Sequence, residues 1–401
     1  MFINLFPALT SSLPATANSR RRIPAACCRT ALLILLVAVF TISCGNEHVS
    51  QKRKGLQTVT IDNTAPRRDV AGNIIDAHDG CLQLFGTHFF LYGTAYGTND
   101  GYTTANRFVV YDSTDLDQWT PPGELLKQHP PGVYYRPYVV FNSITRKYVL
   151  WYNWYPTQWK GQTGVAISDS PVGPFTIVNA NVHLACSQPG DGSLFVDDVG
   201  TGYYIYTAID QGYTVRVERL TPDYLATTGE MSDPLVIGAE APVLFRRNNL
   251  YYALCGQRCA FCPEGSGVMV FFSNSPLGPF FPAPNINRRP ESRAPTVSTQ
   301  QTWNVDIPGG KFSYAFTNNS QMVYESNAPR IPAQETWVAK IPMAGGPIFI
   351  WMADRWQSAP DGVKGHDFQF WSAPLNFNPS TGAILPVETT ARWDITWSWN
   401  D

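Results

Sequence analysis

Asp191-Gly192-Ser193-Leu194-Phe195-Val196, answered about ten residues on by Tyr203-Tyr204-Ile205-Tyr206, is the unit from which the fold is read. A carboxylate opens a short apolar run, and an aromatic-rich run returns after a Gly-containing turn. Short runs of this kind, bounded by turn residues, are strands. The unit recurs as Asp79-Gly80-Cys81-Leu82 with Phe89-Phe90-Leu91-Tyr92-Gly93. It recurs again as Glu240-Ala241-Pro242-Val243-Leu244-Phe245 with Tyr251-Tyr252-Ala253-Leu254. Three acids in one repeat register are expected to point at one centre.

Working outward, the aromatic strand recurs at Phe89–Gly93, Lys147–Asn153, Gly202–Ala208, Leu250–Gly256 and Pro347–Asp354. A further strand follows each, as in Phe108-Val109-Val110-Tyr111 and Gly164-Val165-Ala166-Ile167. Ser170-Pro171-Val172-Gly173-Pro174-Phe175 and Ser275-Pro276-Leu277-Gly278-Pro279-Phe280 are near copies in matching places. A period of about fifty residues suits a four-stranded blade. The expectation is an all-β, five-bladed propeller from roughly Asp76 to Trp399, with an insertion of about forty-five residues in blade five near Glu291 to Ala344. No stretch reads as an amphipathic helix over several turns. A blade cannot bury both faces alone, so the five units should make one domain.

Composition agrees. Of 401 residues, 13% are aromatic and 15% charged, with 31 Gly and 32 Pro, which favours short strands and tight turns over long charged helices. The formal net charge of -2 indicates no basic face for nucleic acid. Arg20-Arg21-Arg22 and Arg29 precede the apolar run Ala31 to Ile42, which has the character of a signal peptide or signal anchor. Residues 1–44 are read as that segment, 45–70 as a disordered linker and 71–401 as the propeller. The destination is extracellular or within the secretory pathway, with membrane attachment only through the N-terminal segment if it is uncleaved.

Cys27, Cys28 and Cys44 fall in or beside the targeting segment. Cys255-x3-Cys259-x2-Cys262 lacks a second Cys or His pair to complete a zinc site, so a local disulfide is the expected use in an oxidising compartment. Asn318-Asn319-Ser320 is a glycosylation sequon.

Acids that open strands also cap turns, but three in one register argue for shared chemistry. Two carboxyl groups suffice to break a glycosidic bond, one protonated and one ionised, and a third nearby carboxylate raises the acid's pKa.

With these motifs quoted, the chain resembles glycoside hydrolase family 43, the five-bladed propeller glycosidases. The segment at Asp79 is similar to the family's general-base strand. Asp191-Gly-Ser-Leu-Phe-Val-Asp-Asp-Val-Gly is similar to its pKa-modulating strand, and Glu240-Ala-Pro-Val-Leu-Phe to its general-acid strand. The resemblance implies a single-step, inverting hydrolysis of O-glycosyl bonds. Within the family, His78, Arg136-Pro137, Gln334-Glu335-Thr336-Trp337 and Ala353-Asp354-Arg355-Trp356 resemble the exo-β-1,3-galactanase-like branch. Two departures stand out. Tyr135 stands where that branch usually has glutamate, and Asp79 where it usually has glycine.

The resemblance therefore implies a polysaccharide or oligosaccharide substrate of β-galactan, arabinan or xylan type, attacked at side chains or ends. It implies Asp79, Asp191 and Glu240 as catalytic residues, with His78, Arg136, Gln334, Arg355 and Trp356 as substrate-binding residues. No cofactor is required, though a structural calcium near His366 is a further implication. Gln300-Gln301-Thr302-Trp303 partly copies the Gln334 segment. Trp119, Trp154, Trp159 and Trp356 are candidates for stacking on sugar rings. The rival reading is a catalytically weak, lectin-like propeller that only binds glycans.

Overall fold

A computed structural model describes residues 57–257, 261–263, 265–283, 301–307, 310–316 and 331–397, all within the unit Arg53–Asp401. The targeting segment, Gln300 and the sequon at Asn318 lie outside the described residues. Strand β1 (Gln57–Asp62) is followed by three four-stranded sheets in simple meander order. These are β2 (His78–Phe85), β3 (His88–Ala95), β4 (Arg107–Ser113) and β5 (Gly123–Glu124); β6 (Val133–Asn142), β7 (Lys147–Tyr155), β8 (Gln162–Ser168) and β9 (Thr176–Asn179); and β10 (Pro189–Val196), β11 (Gly202–Ala208), β12 (Thr214–Leu220) and β13 (Thr227–Met231). A fourth comprises β14 (Ala239–Arg247), β15 (Leu250–Gln257), β16 (Met269–Ser273) and β17 (Phe281–Ala283). After the hairpin β18 (Gln301–Ile307) and β19 (Gly310–Phe316), a three-stranded sheet comprises β20 (Gln334–Ile341), β21 (Ile348–Arg355) and β22 (Phe368–Trp371). Strand β23 (Arg392–Trp397) is last.

The first strands of the five sheets are neighbours in the cyclic order β2, β6, β10, β14, β20 and back to β2. That closure makes a five-bladed propeller with these strands around the axis. Blades stack face against face, so middle strands are apolar on both sides: all seven residues of β11 are buried. Strand β23, covered on one side only, alternates exposed and buried residues with period two.

Two sequence expectations need correction. The inner strand of blade five, Gln334–Ile341, lies inside the stretch 291–344 that was read as an insertion. The extra chain therefore precedes that blade's inner strand and carries the β18–β19 hairpin. Residues 57–70, read as the end of a disordered linker, begin with β1, which pairs antiparallel with β23 from Gln57↔Trp397 to Asp62↔Arg392. This ladder is tied to blade five by Asn63, whose Nδ2 donates to the Trp371 carbonyl (2.9 Å) and whose Oδ1 accepts from the Trp371 N–H (3.0 Å). Phe89 of blade one meets Trp397 edge-on, with ring centroids 5.9 Å apart.

Candidate active site

Each inner strand carries a bulge or register shift at the same end. The shifts fall between His78 and Cys81, Tyr135 and Tyr138, Pro189 and Gly192, Glu240 and Val243, and Glu335 and Trp337. A bulge re-aims side chains that a regular strand would alternate. Asp79, Arg136 and Ala241 adopt left-handed backbone at these positions, with φ of 59°, 57° and 56°. Strained non-glycine backbone of this kind clusters at functional sites. Asp79, Arg136, Asp191, Glu240 and Gln334 thus occupy matching ends of five neighbouring strands.

Arg136 binds the group together. Its Nε lies 3.2 Å from Asp191 Oδ1 and its Nη2 3.9 Å from Asp79 Oδ1. Its Nη1 donates to the Glu335 carbonyl at 3.3 Å, reaching blade five. The guanidinium is almost completely buried, whereas 21% of the Asp191 side chain meets solvent. The two carboxylates hold Arg136 firmly protonated against the cost of burial.

Asp79 is gripped on three sides. The Tyr96 hydroxyl donates to Oδ2, Arg136 faces Oδ1, and the Asp79 N–H donates to Asp354 Oδ2 at 2.8 Å. Burial pushes the Asp79 carboxyl up to about 6; Arg136 and the Tyr96 hydroxyl oppose this, while the charges of Asp354 and Asp191 reinforce it. Glu240, 9% exposed, stands on β14, the inner strand next to the β10 that carries Asp191. The strands carrying Asp191 and Glu240 are stitched by Ser193 Oγ donating to the Pro242 carbonyl (2.8 Å). Both acids act on the same buried hydroxyl, that of Tyr155, which burial, then Asp191, and more weakly Glu240, push upward.

Gln334 belongs to the site but is held by a ring: Trp356 Nε1 donates to its Oε1 at 2.7 Å. Trp356 is itself 2% exposed and packs on His78 and Tyr96. Lys364 lies over this wall, its Nζ 3.9 Å from the Phe261 centroid and 4.8 Å from that of Trp356. Such contacts are attractive through the ring quadrupole.

Three sequence candidates fall elsewhere. His78, expected to touch substrate, has no exposed surface. Its Nδ1 is 2.9 Å from Asp354 Oδ1 and its Nε2 3.7 Å from Asp76 Oδ1. Burial disfavours its charge, but Asp354, with Asp76 and Asp79 behind it, holds the imidazolium up to about 9. It is a positioning residue. Arg355, also expected to bind substrate, donates to the Asn63 carbonyl at 3.4 Å. Strand alternation explains this: Asp354 faces Asp79, so its neighbour faces away. His366 commits Nδ1 to Asp361 Oδ2 at 2.7 Å, and no group of three His, Cys, Asp or Glu among the described residues could hold a metal ion. Of the stacking candidates, Trp119, Trp154 and Trp356 are core residues, while Trp159 is 56% exposed. Cys262 is disulfide-bonded, with its partner outside the described residues, and Cys81, Cys186 and Cys255 are free thiols.

The sequence reading gave no role to Tyr96 or Asp76, and quoted Asp354 only as part of a motif. Asp76 accepts from the N–H groups of Tyr96 (2.9 Å) and Gly97 (2.6 Å), fixing the loop that delivers the Tyr96 hydroxyl. Gly365 is required beside it, because a β-carbon there would lie 2.4 Å from Asp76 Oδ2.

Residues 85–341 match the family model of glycosyl hydrolases family 43. The chain belongs to this family. Family 43 relatives with curated descriptions include an arabinoxylan arabinofuranohydrolase of Bacillus subtilis (strain 168), 28% identical over 226 residues, which is 45% of this chain and 42% of that one. Another of the same description, from Paenibacillus polymyxa, is 26% identical over 51% of this chain and 38% of its own length. The chain spans about two-fifths of these relatives. Solved structures of similar fold include a family 43 β-1,3-galactosidase with galactodeoxynojirimycin (TM-score 0.64, 21% identity, 83% of this chain and 99% of that chain). An exo-β-1,3-galactanase from Clostridium thermocellum is also similar (TM-score 0.61, 22% identity, 85% and 68%).

Proposed function

We propose that this family 43 protein is an inverting glycoside hydrolase acting on side chains or ends of β-galactan-, arabinan- or xylan-type polysaccharides. Glu240 gives its proton to the glycosidic oxygen as the bond to the anomeric carbon breaks. Asp79 takes a proton from the water that attacks the opposite face of that carbon. The attack makes the new C–O bond in the same step, so the configuration inverts. Solvent then exchanges the protons back.

The observation that carries this reading is the Arg136 bridge between Asp79 and Asp191, with Glu240 at the matching bulge of the next inner strand. Arg136 sets one positive charge between these two acids, as suits a base and a charge-tuning neighbour. An Asp79 pKa of about 6 suits a base that works near neutrality. Asp191 lies on β10, the strand next to the β14 that carries Glu240, which suits a charge-tuning neighbour of the proposed acid. The reaction draws on carboxyl groups and water, with no cofactor. The Arg-rich and apolar N-terminal segment supports export, so that the enzyme meets its polymer outside the cytosol.

The test is a panel of 4-nitrophenyl β-galactoside, α-arabinofuranoside and β-xyloside with the wild type, Glu240→Gln and Asp79→Asn. Hydrolysis of at least one substrate, lowered by roughly 10²–10⁴ in each variant, is expected. Variants that retain wild-type turnover would overturn the assignment.

A further inference from the structure

Trp159 is 56% exposed, and it is not isolated. Its ring centroid is 6.0 Å from Tyr102, which lies 6.4 Å from Tyr135 and 6.1 Å from Tyr155. Tyr135 in turn lies 6.3 Å from Tyr96, whose hydroxyl grips Asp79. A continuous row of rings therefore runs from solvent to the proposed base.

The outer end of the row is rigidly held. Trp159 adopts φ of 61°, a costly conformation for a bulky residue. With its amide oriented to satisfy both partners, Gln188 donates to the Trp159 carbonyl (3.0 Å) and accepts from Lys160 Nζ (3.3 Å). At Gly161 the loop presses on β10, where a β-carbon would lie 1.8 Å from the Pro189 carbonyl oxygen. Pro189 is two residues from Asp191. The Tyr135 hydroxyl donates to the Gly101 carbonyl (2.8 Å), tethering the loop that carries Tyr102. A lone exposed tryptophan needs no explanation. One clamped in a strained conformation, beside the acid-bearing strand and in line with the base, is arranged to receive a flat apolar face.

We infer that Trp159 and Tyr102 form a stacking subsite for a sugar ring of the polysaccharide, at the outer end of the row of rings that leads to Asp79. This rests on the reading of the protein as a polysaccharide-active glycosidase. The ring of a sugar offers C–H groups to an indole face, and Trp and Tyr supply large contact area with few rotamers to freeze.

The test is affinity gel electrophoresis in arabinoxylan, β-1,3-galactan and xylan, run on full-length Glu240→Gln so that the polymer survives. Adding Trp159→Ala should weaken retardation in the retained polymer about 5-fold or more, while Trp159→Phe keeps most of it. Val199→Ala, an exposed apolar site outside the row, should not move it. Equal retardation with and without Trp159, an equal loss in Val199→Ala, or no retardation of Glu240→Gln by any of the three polymers overturns the inference. Retention that depends on Trp159, in a protein whose wild type hydrolyses nothing, would sink the hydrolase reading and leave a glycan-binding row. Hydrolysis without dependence on Trp159 would do the reverse.

Discussion

The backbone N–H of Asp79 donates to Asp354 Oδ2 at 2.8 Å across the seam where blade one meets blade five. The bulge that aims the proposed base is thus fixed by the last blade of the chain. The other Asp354 oxygen is held by His78. Asp354→Asn should leave the ring of blades intact but loosen the bulge, lowering kcat by about 10–100-fold. Steady-state kinetics beside a thermal melt checks this, because a purely structural role would lower Tm without a selective loss of kcat.

Tyr96 donates to the Asp79 carboxylate and so favours its ionised form. The ascending limb of kcat/KM against pH should lie near 6 in the wild type, where Asp79 loses its proton. In Tyr96→Phe that donor is gone, and the limb should move to higher pH. A limb that stays in place would remove Asp79 from the role of base.

His78 has a folded-state pKa of about 9, above the ordinary value of 6.5. A raised histidine contributes stability fully below its unfolded pKa, and the contribution is lost as pH rises through the folded one. Stability should therefore decline between about pH 6.5 and 9 by about 2–3 kcal/mol. Urea unfolding at several pH values should trace that decline in the wild type and a flatter line in His78→Gln.

Arg136 neutralises two carboxylates from a buried position. Arg136→Met should cost about 3–5 kcal/mol at pH 7, because the acids are left without their partner. The cost should shrink below pH 6, where Asp79 takes up a proton. Denaturant melts at pH 5 and pH 8 measure the difference.

Much of this site was legible in the sequence because the repeat fixes register. Asp79, Asp191 and Glu240 open equivalent apolar runs, and Arg136 and Gln334 hold the same place in blades two and five. The partner of Asp79 was harder to find, since Asp354 is 275 residues away and only ring closure brings them together. Arg355 attracted attention by its charge, yet strand alternation alone turns it from the acids. His78 stands beside Asp79 in sequence but under the bulge in space. The inner strand of blade five was hidden inside the expected insertion because Gln334-Glu335-Thr336-Trp337 lacks the Asp-Gly, Arg-Pro or Ala-Pro step that marks the other bulges. Strand β1 escaped notice because it is a single polar-edged run whose partner, β23, lies at the other end of the chain.

Product stereochemistry tests the central claim most directly. Proton NMR of the first turnovers on whichever aryl glycoside is cleaved should reveal the anomer of inverted configuration, with the other form appearing only by mutarotation. A first-formed product of retained configuration would contradict a single displacement by water activated at Asp79.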